Sequence, residues 1–304
     1  MRVTQSMLTT NFLRNLSDSY QRLAKYQNQL ATGKKITRPS DDPVVATLGM
    51  EYRTNLSHVE QYQRNLSTAY KWMNSSEDAL KEATSVMQRV YELTVQASNG
   101  TYDVSQRDDI ATEIGQLKKQ MASIANTRVA GKYIFNGTDT KGTTITVAGT
   151  ETKVKPVDLS GGIRVSGNSD DVTIEVNDGI EIRVNVDPTQ VFTEDLFQGL
   201  TDLQNDLKNG ASPEAIGSYL SGIKDKLDNI VSERAELGAR YDRVEMVEKR
   251  LGSQKVIASQ ILSDNEDVDL EKVIMNLKIQ ESVHRAALAA GARIMQPTLM
   301  DFLR

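Results

Sequence analysis

Leu30-Ala31-Thr32-Gly33-Lys34-Lys35-Ile36-Thr37-Arg38-Pro39-Ser40-Asp41-Asp42-Pro43 holds two of the chain's six prolines and one glycine within fourteen residues, between flanks that read as long proline-free helices. A stretch of this kind must end one helix and begin another. Gly33 can supply the left-handed residue that closes the first, and Asp42-Pro43 is a good N-cap and first-turn pair for the second. The chain before this break is an arm, and the chain after it a rod.

Upstream, Phe12, Leu16, Ser19, Leu23, Tyr26 and Leu30 are spaced 4, 3, 4, 3, 4, one apolar stripe on a helix. Downstream, Val59, Leu66, Met73, Leu80, Met87 and Thr94 recur every seven residues, accompanied by Leu56, Tyr70 and Tyr91. Heptads sustained over that length predict a packed helix from Pro43 to about Ser98, roughly 80 Å long. Asn99-Gly100 ends it. Ser105 is the expected N-cap of the next helix, with Asp108 in its first turn, and Ile110, Ile114, Leu117, Met121 and Ile124 give that helix a seam that lies antiparallel on the long one.

From Val129 to Gln190 the period changes. Tyr133-Ile134-Phe135 is a short apolar run stopped by Asn136-Gly137, Thr144–Val147 is a candidate strand, and two alternating runs, Val172–Val176 and Ile180–Val186, flank Asn177-Asp178-Gly179 as a hairpin. Pro188 closes this insert. Leu196, Leu200, Leu203 and Leu207 form a short helix ending at Asn209-Gly210, and Ser212-Pro213 caps another reaching about Leu262, with Ile230, Leu237, Val244, Leu251 and Ala258 in heptad register against the first rod helix. Leu270, Ile274, Leu277, His284, Leu288 and Met295 mark a last amphipathic arm that finishes in Leu299-Met300-Asp301-Phe302-Leu303-Arg304.

The fold class expected is mainly α: a long antiparallel helical coiled-coil rod with an inserted small β-rich domain and amphipathic terminal helical arms. The divisions are residues 1–42 (N-terminal arm), 43–128 (first part of the rod), 129–190 (β-rich insert), 191–263 (second part of the rod) and 264–304 (C-terminal arm). A composition of 38% hydrophobic and 5% aromatic residues suits thin helical layers better than a thick core.

Chemistry is sparse. The chain has no cysteine and only two histidines, His58 and His284, so neither a disulfide, a zinc cluster nor a histidine-dependent triad is expected, and no cofactor is implied. The acidic run Asp264–Asp269 lacks the glycine and closing glutamate of a calcium loop and reads as capping of the following helix. Gly161-Gly162 lacks the Lys-Ser/Thr of a phosphate loop and reads as a turn. Lys34, Lys35 and Arg38 beside Asp41 and Asp42 fit a docking patch or a solvated, locally paired cluster equally well. A net charge of −5 with interspersed signs offers no nucleic-acid surface, and neither a signal peptide nor a membrane span is visible. Two apolar stripes remain, one on each arm. They either cover one another within the chain or need neighbouring molecules.

Three stretches carry a resemblance. Leu30–Pro43, Glu92–Thr101 and the closing arm Asp267–Arg304 resemble the terminal regions of the flagellin superfamily. Within it, Arg38-Pro39-Ser40-Asp41-Asp42-Pro43, together with Tyr133–Thr138 and Leu299–Leu303, is similar to the hook-associated protein 3 branch, since flagellins usually carry alanines where Pro39, Ser40 and Pro43 stand. The resemblance implies a structural subunit without enzymatic activity. It implies export through the flagellar apparatus without a cleaved signal peptide, an extracellular place in the bacterial flagellum, and a junction between the first hook-associated protein and the flagellin filament. It also implies a cytoplasmic export chaperone on the C-terminal arm. Contacts between neighbouring copies would then fall on Phe12, Leu16, Leu23, Leu30, Leu270, Ile274, Leu277, Leu288, Met295, Leu299, Phe302 and Leu303. Flagellin itself, or a cytoplasmic coiled-coil adaptor, is the alternative.

Overall fold

The structure, a computed structural model, describes residues 5–100, 102–147 and 150–294. Seven helices are seen among them: α1 Gln5–Thr32, α2 Pro43–Ala97, α3 Val104–Ala125, α4 Pro188–Val191, α5 Glu194–Lys208, α6 Pro213–Glu266 and α7 Leu270–Ile294. Between α3 and α4 lie eight short strands: β1 Arg128–Val129, β2 Lys132–Tyr133, β3 Thr143–Val147, β4 Thr150–Val154, β5 Val157–Asp158, β6 Arg164–Val165, β7 Thr173–Asn177 and β8 Ile180–Arg183. The chain divides into two compact units, one pairing the chain up to His58 with the chain from Ser253 on, the other running from Val59 to Gly252. The divisions between the units fall inside α2 and α6.

The Val59–Gly252 unit is built on heptads. Leu66, Met73, Leu80 and Met87 of α2 are fully buried in one hydrophobic cluster with Ile114 and Met121 of α3, Leu200, Leu203 and Leu207 of α5, and Ile230, Leu237, Val244 and Leu251 of α6. Polar pairs fix the directions. Arg89 Nε bonds Glu113 at 2.8 Å and Gln120 bonds Glu82 at 2.9 Å, so α3 runs antiparallel to α2. Arg234 Nε bonds Glu77 at 3.2 Å while the Tyr70 hydroxyl donates to Glu248 at 2.8 Å, which sets α6 antiparallel to α2 as well. The cap of α3 differs from expectation: Asp103, not Ser105, is the N-cap. Its carboxylate accepts from Ser105 N–H and Gln106 closes the reciprocal half of a capping box, because a carboxylate two residues upstream reaches the first free amides better than a hydroxyl already inside the helix.

The insert between α3 and α4 carries the expected short antiparallel strands. Its strands form four two-stranded antiparallel ladders, β1-β2, β3-β4, β5-β6 and β7-β8. Val157, Val176, Val184 and Val186 belong to the same buried cluster as the helices, and Phe135 meets Phe192 edge-on at 4.9 Å. A lone two-stranded ribbon is marginally stable at best in water, and the β5-β6 and β7-β8 ribbons pack on the helices. Asn65 of α2 donates to the Glu175 carbonyl at 2.8 Å and Arg240 of α6 to the Asn185 carbonyl at 2.8 Å. The expected hairpin is present, with Asp178-Gly179 as a two-residue turn and Gly179 at φ 65°. Ile134 and Phe135 are buried but lie outside the strands.

Candidate assembly surface

The break between α1 and α2 is made as the local chemistry demands. Gly33 sits at φ 68° and its N–H returns to the Gln29 carbonyl at 2.9 Å, a left-handed cap. Asp41 Oδ2 accepts from the backbone N–H groups of Thr37 and Arg38 at 3.1 and 3.0 Å, and those bonds hold its carboxyl below the ordinary range. Asp42 caps α2 through Val44 and Val45 N–H at 3.1 and 3.2 Å, with Pro43 in the first turn. Arg38, Pro39 and Ser40 remain exposed.

A second set of contacts ties this loop to the far end of the chain. Lys34 and Asp267 form an isolated antiparallel bridge, with Lys35 N–H donating to the Glu266 carbonyl at 2.7 Å and Val268 N–H to the Gly33 carbonyl at 2.9 Å. Around it Lys34 Nζ lies 2.6 Å from Asp267 and 3.4 Å from Glu266, and Arg53 lies 2.7 Å from Glu266, whose side chain is 5% exposed. The bond to Lys34 pulls the Asp267 carboxyl down, helped by Ser263, and Asp267 in turn raises Lys34. Gly49 makes room for this cluster, since a Cβ there would stand 2.6 Å from Glu266 Oε1. Lys34 therefore pairs across the fold and not with Asp41 or Asp42. Of the acidic run, only Asp269 caps α7, accepting from Lys272 N–H at 3.1 Å.

The clamp positions α1 against α7. The buried or half-buried side of α7 is Val273, Leu277, Gln280, His284, Ala287 and Gly291, spaced 4, 3, 4, 3, 4. It meets Phe12, Leu16, Ser19, Leu23 and Tyr26 of α1, all buried or half-buried. Gln280 donates to Ser19 Oγ at 2.8 Å, His284 Nδ1 lies 3.3 Å from the same hydroxyl, and a Cβ at Gly291 would overlap the Phe12 ring. This seam mixes apolar, polar and small residues, and its weak hydrophobicity hides it behind the more apolar series read from sequence.

The residues expected to meet neighbouring copies thus divide. Phe12, Leu16 and Leu23 face α7, and Leu277, 8% exposed, is buried within the chain. Leu30, Leu270, Ile274 and Leu288 stay exposed, the last at 48%. Met295, Leu299, Phe302 and Leu303 lie outside the described residues. Sequence reasoning missed a second row on α7, Met275, Ile279 and Val283, each about half exposed at 56%, 56% and 49%. Its i, i+4, i+8 spacing was the available signal. On α1, Leu13 and Tyr20 are exposed and line an open groove with His284 and Leu288. Val256, Ile257 and Ile261 of α6 add further exposed apolar surface in the same unit. Apolar side chains aligned in an exposed row on one helix face mark a candidate interaction surface.

Among the described residues no group of histidine or carboxylate side chains could hold a metal ion, and no helix is long and apolar enough to cross a membrane. The models of the bacterial flagellin N-terminal and C-terminal helical regions match residues 3–140 and 220–303. Flagellar hook-associated protein 3 of Escherichia coli is 28% identical, covering 95% of this chain and 96% of its own. The flagellin of Bacillus subtilis is 26% identical over the whole of both chains. A solved flagellar hook-associated protein-3 from Legionella pneumophila superposes with a TM-score of 0.62 at 16% identity, over 71% of this chain and 98% of that one, and speaks to the fold alone.

Proposed function

This chain belongs to the flagellin superfamily, and from that premise we propose that it is a non-enzymatic structural subunit of the bacterial flagellum, forming the junction between the hook-associated proteins and the flagellin filament. The observation that carries the reading is the helix pair α1–α7: one seam is closed within the chain while Met275, Ile279, Val283, Leu288, Leu13 and Tyr20 stay in water. An apolar row of that kind is stabilised by a neighbour with the same surface. Copies of the chain pack through it side by side, with the first hook-associated protein on one face of the assembly and flagellin on the other. Before that, the chain leaves the cytoplasm without a cleaved signal peptide, its C-terminal arm covered by an export chaperone.

A filament subunit is the second reading, favoured by the full-length similarity to the Bacillus subtilis flagellin. The segment Arg38–Pro43 and the near-complete match to a hook-associated protein 3 weigh for the junction. Deleting the gene separates the two. Bare hooks with flagellin shed into the medium is the expected result, seen by electron microscopy of cells and analysis of the supernatant. Loss of filaments with no shed flagellin means the chain is the filament subunit, and unchanged flagella overturn both.

A further inference from the structure

One groove in the Val59–Gly252 unit gathers positive charge in a chain whose net charge is −5. Three segments distant in sequence meet there: Lys119 from α3, Arg128 from β1, and Lys155 between β4 and β5. All three side chains are exposed, and none of them forms a salt bridge among the described residues. Among the described residues lining the groove the one carboxylate is Asp158, which accepts from Ser160 N–H at 3.0 Å; that bond holds its carboxyl below the ordinary range, with Arg164 and Lys155 acting in the same direction. Positive charge therefore exceeds negative among the described residues of the lining.

Two further features distinguish the groove from a merely charged rim. Arg128 is held in place: its guanidinium lies 4.1 Å above the buried Tyr133 ring and bonds the phenol oxygen, which leaves the rest of its planar donor fork for a ligand. The end of α3 would ordinarily repel an anion through its free carbonyls. Here the carbonyls of Ala122, Ser123 and Ile124 are engaged. Asn126 N–H donates to Ala122 and Ser123, Thr127 N–H to Ile124, and the Asn126 amide bonds both Ala122 and Val157 carbonyls at 2.7 Å.

We propose that this groove binds an oxyanion ligand bearing two or more carboxylate or phosphate groups, held by Lys119, Arg128 and Lys155. Charge-assisted bonds of this sort are strong and salt-sensitive. The test uses the full chain, titrated separately with citrate and with pyrophosphate at low ionic strength by calorimetry, with amide shifts followed by NMR. The expected result is saturable binding of at least one anion, shifts centred on Ser123, Asn126 and Ser160, and affinity at least tenfold weaker in the double variant Lys119→Gln/Lys155→Gln. Both side chains are exposed, so the variant keeps its fold, checked by circular dichroism. Response to pyrophosphate alone assigns the phosphate class, and response to citrate alone the carboxylate class. A control, Lys25→Gln, lies in the other unit. No saturable binding, an unchanged affinity in the double variant, or an equal loss in Lys25→Gln overturns the proposal.

Discussion

Leu277 and Leu288 stand eleven residues apart on α7 and separate what the chain covers by itself from what it leaves for others. Leu277 is 8% exposed in the seam against α1, whereas Leu288 is 48% exposed. Burying a leucine side chain contributes about 1.5–3 kcal/mol, and an aspartate in its place must also lose part of its hydration. Leu277→Asp should therefore weaken the α1–α7 pair by about 3 kcal/mol, which at 1.4 kcal/mol per decade raises the open population about 100-fold. Leu288 already has about half its surface in water, so Leu288→Asp should weaken the pair by less than about 1 kcal/mol, under about fivefold. Amide hydrogen exchange of the monomer, followed by mass spectrometry over residues 10–30, reads this directly. Leu277→Asp should accelerate α1 exchange by about two orders of magnitude while Leu288→Asp leaves it nearly unchanged, yet both should fail to restore filaments in a deletion strain. Equal acceleration by the two variants would refute the seam assigned to α7, and filaments restored by Leu288→Asp would refute the outward face.

Ala130 occupies the first position of the two-residue β1–β2 turn at φ 50°, a conformation that asparagine tolerates better, so Ala130→Asn should raise stability by about 0.5–1 kcal/mol, read as a higher midpoint in urea. Asp42→Ala removes the acceptor for two N–H groups and should weaken the start of α2 by about 1 kcal/mol, visible as faster exchange at Val44 and Val45 with the Val59–Gly252 unit unaffected. Leu80→Ala, at a fully buried heptad position, should destabilise that unit by about 2–5 kcal/mol in chemical denaturation, and a loss below about 1 kcal/mol would mean the seam is not packed. Because Asp267 is lowered from 3.8 chiefly by its bond to Lys34, its contribution to the clamp is complete above that value and is lost as pH falls through the lower folded value. Lys34, raised from 10.5 by the same bond, holds its share until pH climbs above that value. NMR titration of the Asp267 carboxyl should show a midpoint under 3.8, and a midpoint at or above it would mean that the clamp does not form.

Much of this protein is written locally. Gly33, Asp42 and Pro43 end one helix and begin the next because left-handed caps, side-chain caps and a fixed proline φ act within a few residues. The heptads of α2 and α6 and the Asp178-Gly179 turn are equally local, since side-chain period and turn chemistry need no partner to be recognised. The tertiary structure decided what those periods are for. An amphipathic helix announces that a face must be covered, never which molecule covers it. The Leu270, Ile274, Leu277 and Leu288 series thus merged two faces of α7 that the packing of α1 separates. Glu266 and Asp267 read as part of a helix cap until the fold brings Lys34 and Arg53 to them from more than two hundred residues away. The strands of the insert were legible because alternation reveals strands, but alternation does not reveal their support. Two-stranded ribbons bury little apolar surface alone, and Val157, Val176 and Ile182 of β5, β7 and β8 share the core of the helices.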